Sequence, residues 1–126
     1  MDLNMTNEIL ILLKNKLSEM DEVLFGYLFG SYATNEQTKK SDVDVALYLK
    51  NVDFDTRLQI NYELSKLLKK DVDLIILNNI KNIYLIENIM KNGIIIKDHK
   101  KRVDFEIIKH HDILDYKVFR KYIDAA

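Results

Sequence analysis

Two apolar runs that enclose a short polar stretch constrain the fold of this chain more than any other feature. The first, Val23 to Phe29, is apolar throughout apart from Gly26, and the second runs from Val45 to Leu49. Continuous apolar runs of this length are typical of strands that are buried on both faces of a sheet. The sequence therefore predicts two buried strands, with the polar stretch between them at one end of the sheet.

The second apolar run begins with two aspartates, Asp42 and Asp44, separated by Val43. Alternate side chains of a strand point to the same face, so the two carboxylates project together while Val43 points into a core. Carboxylate oxygens are the ligands that a hard divalent cation such as Mg²⁺ prefers, with phosphate oxygens and water completing its shell. The pattern therefore predicts a magnesium site at the head of this strand.

The first apolar run ends at Gly30 and Ser31. A glycine allows the backbone to approach a bulky anion closely, and the serine offers both a hydroxyl and a main-chain N–H. A short helix predicted over residues 31–37 would direct its positive end at phosphate. We therefore expect Gly30 and Ser31 to bind phosphate groups.

Gly30-Ser31, ten further residues, and then Asp42-x-Asp44 resemble the signature of the polymerase-β-like nucleotidyltransferases. The resemblance covers nearly the whole chain. It is strongest to the minimal nucleotidyltransferases, the MntA-type antitoxins encoded beside HEPN toxins. It implies the nucleotidyltransferase fold, ATP as substrate and a two-metal Mg²⁺ site, with Asp42 and Asp44 holding Mg²⁺ against the triphosphate and Gly30 and Ser31 binding its outer phosphates.

The family has a third carboxylate on a later strand, and Asp73 matches it in this chain. The resemblance implies that Asp73 helps to hold the second metal and activates the attacking hydroxyl, or acts as its general base. Asp71 lies on the same face by strand alternation and remains an alternative for this role.

The chain departs from the family pattern after Gly-Ser. Relatives commonly continue Ala-Arg-Gly, whereas this chain has Ala33, Thr34 and Asn35. A basic residue and a flexible residue are therefore missing from the predicted phosphate loop. Lys39 or Lys40 is a candidate to replace the charge, and the alternative is that both lysines are simply solvated.

Helical and strand periodicities alternate along the chain and predict an α/β fold, a small mixed sheet with helices packed mainly on one face. No linker interrupts them, so we expect a single domain over residues 1–126. Asp55 is the predicted N-cap of the third helix, and Gly93 the predicted C-cap of the fourth. The predicted helices are residues 6–20, 31–37, 55–69, 81–91 and 101–126, and the predicted strands are residues 22–29, 42–50, 71–77 and 94–97.

The long last helix carries an apolar series at helical spacing. Its members are Val103, Ile107, His110 or His111, Leu114 and Val118. Tyr116, Phe119 and Tyr122 add an aromatic series near its end, which is either core or a surface that binds a partner. The two histidines lack metal-ligand partners at suitable spacing, so we expect them on the helix surface or at an interface.

Composition excludes several classes of protein. The chain has no cysteine, so it has neither a disulfide framework nor a cysteine zinc site, and its formal net charge of -1 argues against a nucleic-acid scaffold. No apolar run approaches the roughly 20 residues of a membrane span. We find no signal-peptide pattern and therefore expect a cytoplasmic protein without a membrane partner and without direct nucleic-acid binding.

The resemblance implies a function for such an antitoxin: it moves AMP from ATP to a tyrosine of a cognate HEPN toxin, an RNase, in a hetero-oligomer, and thereby neutralises the toxin. One alternative is a catalytically weak or inactive module that neutralises the toxin by binding alone. Another is a stand-alone nucleotidyltransferase that acts on a small molecule or an RNA end.

Overall fold

The computed structural model describes residues 3–125, with side-chain surroundings given for residues 6–125. Within that range a four-stranded sheet is combined with four α-helices and one 3₁₀-helix. In chain order the elements are α1 (Leu3–Ser18), β1 (Val23–Phe29), the 3₁₀-helix (Gly30–Tyr32), β2 (Val43–Leu49), α2 (Phe54–Leu68), β3 (Val72–Ile76), α3 (Ile83–Asn92), β4 (Ile94–Lys97) and α4 (Lys101–Ala125).

The sheet has the strand order β3-β2-β1-β4. β1 is antiparallel to both β2 and β4, whereas β2 and β3 are parallel and are joined through α2, as a parallel pair requires a crossover connection. The two apolar runs of the sequence therefore form the two central strands. The register pairs Asp44 with Phe29 on one side and with Asp73 on the other.

Helices cover both faces of the sheet. Every residue of β1 is buried, so each of its faces needs a layer of helix. Helices α1 and α2 pack against one face through residues such as Leu13 and Leu64, and α3 and α4 pack against the other through Ile86 and Phe105. The α/β fold with a small mixed sheet is confirmed, but the expected arrangement of helices mainly on one face is wrong, because two helices lie on each face.

The predicted helix over residues 31–37 is wrong. Only a 3₁₀-helix from Gly30 to Tyr32 forms there, followed by turns. Asn35 has a φ of 60°, which lies in the left-handed region and cannot continue a right-handed helix. The segment is therefore too short to supply a helix dipole to an anion, and its main-chain groups and Ser31 must act individually.

Of the two predicted helix caps, the N-cap at Asp55 is wrong and the C-cap at Gly93 is confirmed. Asp53, rather than Asp55, is the N-cap of α2, because its extended backbone immediately precedes the helix and its side chain accepts a hydrogen bond from the Thr56 N–H at 2.7 Å. Gly93 is the C-cap of α3 as predicted, and its N–H donates to the Ile89 carbonyl at 2.8 Å. Its φ of -71° shows that it caps the helix without the left-handed conformation common at such positions.

The long last helix is confirmed as α4. Only Phe105 and Ile113 of this helix are buried, whereas Phe119 and Tyr122 of the aromatic series are exposed. The ring of Tyr116 packs edge-on against Tyr84 of α3, with centroids 5.9 Å apart. None of the helices in residues 3–125 combines the length and the apolarity needed to cross a membrane.

Candidate active site

The three predicted carboxylates lie at one end of the sheet. Asp44 and Asp73 are direct partners in the parallel register of β2 and β3, and Asp42 precedes β2 by one residue. Val43 and Val45 pack into the core with α1 and α2, so the intervening Asp44 projects toward the side of the sheet that carries α3 and α4. The alternation predicted from the sequence therefore directs these aspartates away from the α1–α2 core.

Asp44 is the electrostatic centre of this group. Burial raises the pKa of its carboxyl group above the ordinary value, and the charges of Asp73 and Asp42 and a hydrogen bond with Asp73 raise it further. The ionised form of Asp44 is thus disfavoured by its neighbours, which is the situation that a bound cation would relieve. Clusters of like charge with perturbed pKa values are typical of functional sites.

Asp73, rather than Asp71, is the carboxylate that accompanies Asp44. The main-chain oxygen of Asp71 accepts a hydrogen bond from the Val43 N–H at 2.9 Å, which joins the two strands at their start. The Asp71 side chain is exposed and lines a different cavity, together with Lys69 and Lys70. The register therefore favours Asp73 as the third carboxylate of the site.

Gly30 lies in direct contact with Asp44. Its φ of 73° is in the left-handed region, and a Cβ atom added to it would lie 2.1 Å from Asp44 Oδ2 and 2.9 Å from Asp44 Cγ. Two independent reasons therefore require glycine here, one from the backbone and one from the space that the carboxylate occupies. The glycine-serine turn and the strand carboxylate form one continuous site.

A cavity of about 350 Å³ lies beside this turn. It lies within the size range of small-molecule sites, roughly 300–1,000 Å³. Its lining includes Gly30 and Ser31, and it is completed by Thr34, Glu36, Asn88 and Asn92.

The two asparagines were missed by the sequence reasoning. They stand one turn apart on α3, and the Asn92 side-chain amide donates to Asn88 Oδ1 at 2.8 Å. The only signal in the sequence was their spacing of four residues, because an amide on a helix surface is ordinary unless the cavity next to it is known. Sequence periodicity does not predict that α3 ends beside Gly30.

The loop after the turn differs from the family pattern at Thr34 and Asn35. Asn35 stands where relatives have glycine and adopts the left-handed conformation, which asparagine tolerates better than most residues. Thr34 stands where they have arginine, and its hydroxyl donates to the Gly30 carbonyl at 3.4 Å. Tyr32 is buried in the core with α1 and α2, so it is a packing residue.

The donor set of the site consists of carboxylate oxygens, which suits a hard divalent cation. In residues 3–125 no three acidic, histidine or cysteine side chains are gathered closely enough to hold a metal ion as they stand. A hydrogen bond with Asp73 and the charges of Asp73 and Asp42 contribute to the raised pKa of Asp44, so the three carboxyl groups act on one another. These carboxylates therefore fit a hard divalent cation by chemistry.

Comparisons with known proteins identify the family of the chain. Residues 12–102 match the family described as polymerase beta, nucleotidyltransferase. A Methanocaldococcus jannaschii protein, provisionally named protein adenylyltransferase MJ0126, is 39% identical over 90 residues, which cover 71% of this chain and 92% of the relative.

Solved structures share the fold. A crystal structure of a toxin-antitoxin with AMP-PNP is matched with a TM-score of 0.69 and 27% identity, over 98% of this chain and 94% of that one. A tri-AMPylated Shewanella oneidensis HEPN toxin in complex with MNT antitoxin is matched with a TM-score of 0.68 and 21% identity, over 92% of this chain and 96% of that one. The family match covers well over half of the sequence, so the chain belongs to the polymerase beta nucleotidyltransferase family.

Proposed function

We propose that this member of the polymerase beta nucleotidyltransferase family is a Mg²⁺-dependent protein adenylyltransferase that moves AMP from ATP to a tyrosine of a HEPN-type toxin and so neutralises it. The crowding of Asp44 by Asp73 and Asp42 beside Gly30 carries the proposal. The name of the archaeal relative supports protein as the acceptor. The AMP-PNP complex and the AMPylated toxin of the two solved neighbours support the nucleotide and the partner.

The reaction is an in-line displacement at the α-phosphorus of ATP. The phenol oxygen of the acceptor tyrosine forms a bond to that phosphorus, the bond to the bridging oxygen of the β-phosphate breaks, and pyrophosphate leaves. Asp73, at the exposed end of β3, is assigned to take the phenol proton. Gly30 and Ser31 bind the outer phosphates through main-chain N–H groups and the serine hydroxyl.

Asp42, Asp44 and Asp73 are the residues that would hold Mg²⁺. The ion, when bound, neutralises charge on the triphosphate and on the leaving pyrophosphate. The protein's own part is positional: the strand register keeps Asp44 and Asp73 side by side, and Gly30 leaves space for the Asp44 carboxylate.

The cavity beside the turn is assigned to the nucleoside. Gly30 and Ser31 form one side of it, and the rest of its lining is unfavourable for a triphosphate because it includes Glu36 and neither lysine nor arginine. Asn88 and Asn92 offer uncharged donors and acceptors, which suit the polar edge of a base. We therefore assign the adenosine to this cavity and the phosphates to the Gly30–Ser31 side.

A binding module without chemistry is the second candidate, and one observation favours it. Thr34 replaces the basic residue of the family pattern, and none of the residues that line the cavity replaces its charge. Under this alternative the chain would neutralise the toxin by occlusion. The left-handed Asn35 favours the enzyme, because the loop has a backbone conformation that glycine, the residue of the family pattern, adopts readily.

The test uses the product of the adjacent open reading frame, which the proposal predicts to be a small helical HEPN-type protein. Incubation of both proteins with ATP and Mg²⁺ should add whole AMP units to one tyrosine-bearing peptide, measured by intact and peptide mass spectrometry. Asp44→Asn should abolish the mass gain, while Asp71→Asn, a matched change at the other strand-head carboxylate, should leave it. No mass gain with wild type, together with full protection of cells by Asp44→Asn, would refute the enzyme and support the binding module.

The remaining expectations belong to the same proposal. We expect one domain over residues 1–126 that works as a hetero-oligomer with its toxin. We also expect it to act in the cytoplasm, where ATP and Mg²⁺ are abundant. Fractionation of cells that produce the tagged chain, with and without the toxin gene, tests both points.

A further inference from the structure

Helix α4 carries an apolar stripe that faces away from the rest of the protein. We call it the outer stripe, and its members are Val103, Ile107, Leu114, Val118 and Tyr122. These side chains are between 51% and 77% exposed, although their spacing of four or seven residues is that of a core-facing helix. The buried Phe105 and Ile113 lie on another side of the same helix. The apolar series predicted from the sequence is therefore real, but the sheet does not cover it.

The second half of α4 has little packing of its own. After Ile113, only Tyr116 among residues 114–125 is even half-buried. Isolated helices shorter than about 12–15 residues are marginal in water, since most helical stability in proteins comes from packing of an apolar face. A half-helix that exposes Leu114, Val118 and Tyr122 has the composition of a packed helix without the packing.

The direction of α4 leads the outer stripe toward the active-site end of the domain. Lys109 donates to the Ile80 carbonyl just before α3, and Lys117 pairs with Glu87 in the middle of α3 at 2.6 Å. The two helices therefore advance side by side in the same direction. Since α3 ends at the asparagines that line the cavity, a chain docked along the second half of α4 lies next to the nucleotide end.

The charges along α4 indicate what kind of chain docks there. Asp104 and Asp115 lie along one edge of the outer stripe, on the same side as Tyr122, whereas Lys121 lies at the other edge. Asp112 lies further round the helix and is paired with Lys109. If α4 paired antiparallel with a second copy of itself, the acidic edges of both copies would meet and repel each other. In a parallel pair only Lys121 of the second copy would face the two aspartates, because Lys117 on that side is already paired with Glu87. A different protein with basic residues beside an apolar helix face fits better.

We propose that the outer stripe is the docking surface for the adenylylated partner, which presents an apolar helix with a basic edge and holds its acceptor tyrosine over the active site. The inference rests on the proposed function for the identity of the partner. The family match ends at residue 102, so α4 lies beyond the part that defines the nucleotidyltransferase domain. Docking at α4 thus leaves that part free for chemistry.

The experiment measures the affinity of the full chain for the adjacent-gene protein, with the acceptor tyrosine changed to phenylalanine so that the complex stays unmodified. The stripe variant is Leu114→Gln with Val118→Gln, which keeps helix propensity. The control variant is Ile11→Gln with Leu58→Gln, because these side chains are equally exposed on α1 and α2, at 59% and 53%. Circular dichroism and AMP-PNP binding by calorimetry confirm that each variant is folded and has an intact site.

The stripe variant should weaken binding by at least about tenfold, since buried apolar anchors dominate interfaces, whereas the control should match wild type. AMP-PNP affinity should be the same in all three proteins. Equal partner affinity for the stripe variant and wild type would overturn the inference, as would equal weakening by the control or no complex at all. Self-association of wild type that the stripe variant loses, measured by sedimentation, would overturn it in favour of a second copy. Failure of the proposed function alone would appear differently, as stripe-dependent binding without AMP transfer.

Discussion

Substitution of Gly30 by alanine tests the two reasons for glycine at this position, the left-handed backbone and the space that the Asp44 carboxylate occupies. The left-handed φ of 73° costs a residue with a Cβ atom roughly 1–2 kcal/mol of stability. The new Cβ would also stand 2.1 Å from Asp44 Oδ2, so the carboxylate has to move, and such overpacking typically costs about 1–3 kcal/mol. The two costs are of different origin, and only the second depends on Asp44.

A double-mutant cycle with Asp44→Ala isolates the second cost. This substitution removes Oδ2 and Cγ, so the only one of the three contacts that remains is the one with the Cβ atom of residue 44, at 3.2 Å. In that background Gly30→Ala should cost only the backbone penalty, about 1–2 kcal/mol, and the coupling energy should be about 1–3 kcal/mol. The free energy of unfolding from urea titrations, measured for all four proteins without Mg²⁺, gives both values.

Additive effects would refute this reasoning. If the two substitutions add within about 0.5 kcal/mol, the Gly30 position does not press on the carboxylate and the proposed continuity of turn and metal site is lost. The matched control is the cycle of Gly30→Ala with Asp71→Ala, which should be additive because Asp71 lies at another cavity. Gly30→Ala should also abolish AMP transfer, since the displaced Asp44 is a proposed ligand of Mg²⁺.

Three further predictions concern the site. The pKa of Asp44 is raised in the folded chain, so the folded state is most stable at acidic pH and loses stability as pH rises through that raised pKa. Asp44→Asn should reduce this loss, measured by urea titrations in EDTA from acidic to neutral pH. Asn92→Asp should weaken AMP-PNP binding by about tenfold or more through charge repulsion, whereas Asn92→Gln should largely preserve it, and calorimetry will decide. Thr34→Arg should restore the basic residue of the family pattern and tighten AMP-PNP binding by about tenfold, more strongly at low salt, and unchanged affinity would show that the loop does not contact phosphate.

Strand periodicity predicted most of the site. That Asp42 and Asp44 share a face is an expectation from local alternation, and the structure places Asp44 within β2 and Asp42 one residue before it. The choice between Asp71 and Asp73 could not be made in this way, since both have the same parity. It depends on the register of two strands that are joined through a helix, which is a tertiary property.

The errors have the same origin. Helical spacing in α4 predicted an apolar series but not its environment, and the residues of this helix that are buried are Phe105 and Ile113 instead. The cavity formed by Asn88 and Asn92 depends on where α3 ends relative to Gly30, which no local pattern encodes. The predicted helix over residues 31–37 failed because a single left-handed residue overrode the propensity of its neighbours.

Two features of the fold are unfavourable in the isolated chain, and they lie on different elements. Asp44 is crowded by like charge at the start of β2, and the outer stripe exposes large apolar side chains on α4. Binding of Mg²⁺ with AMP-PNP should relieve the first, and docking of the partner should cover the second.

Each ligand at 100 times its dissociation constant should add about 2.7 kcal/mol to the free energy of unfolding. The two increments should add when the partner's acceptor tyrosine is replaced by phenylalanine, because the sites share no residue. Asp44→Asn should remove only the first increment, and Leu114→Gln with Val118→Gln only the second. Loss of both increments in either variant would show that the nucleotide site and α4 form one coupled unit, contrary to the separation inferred from their contacts.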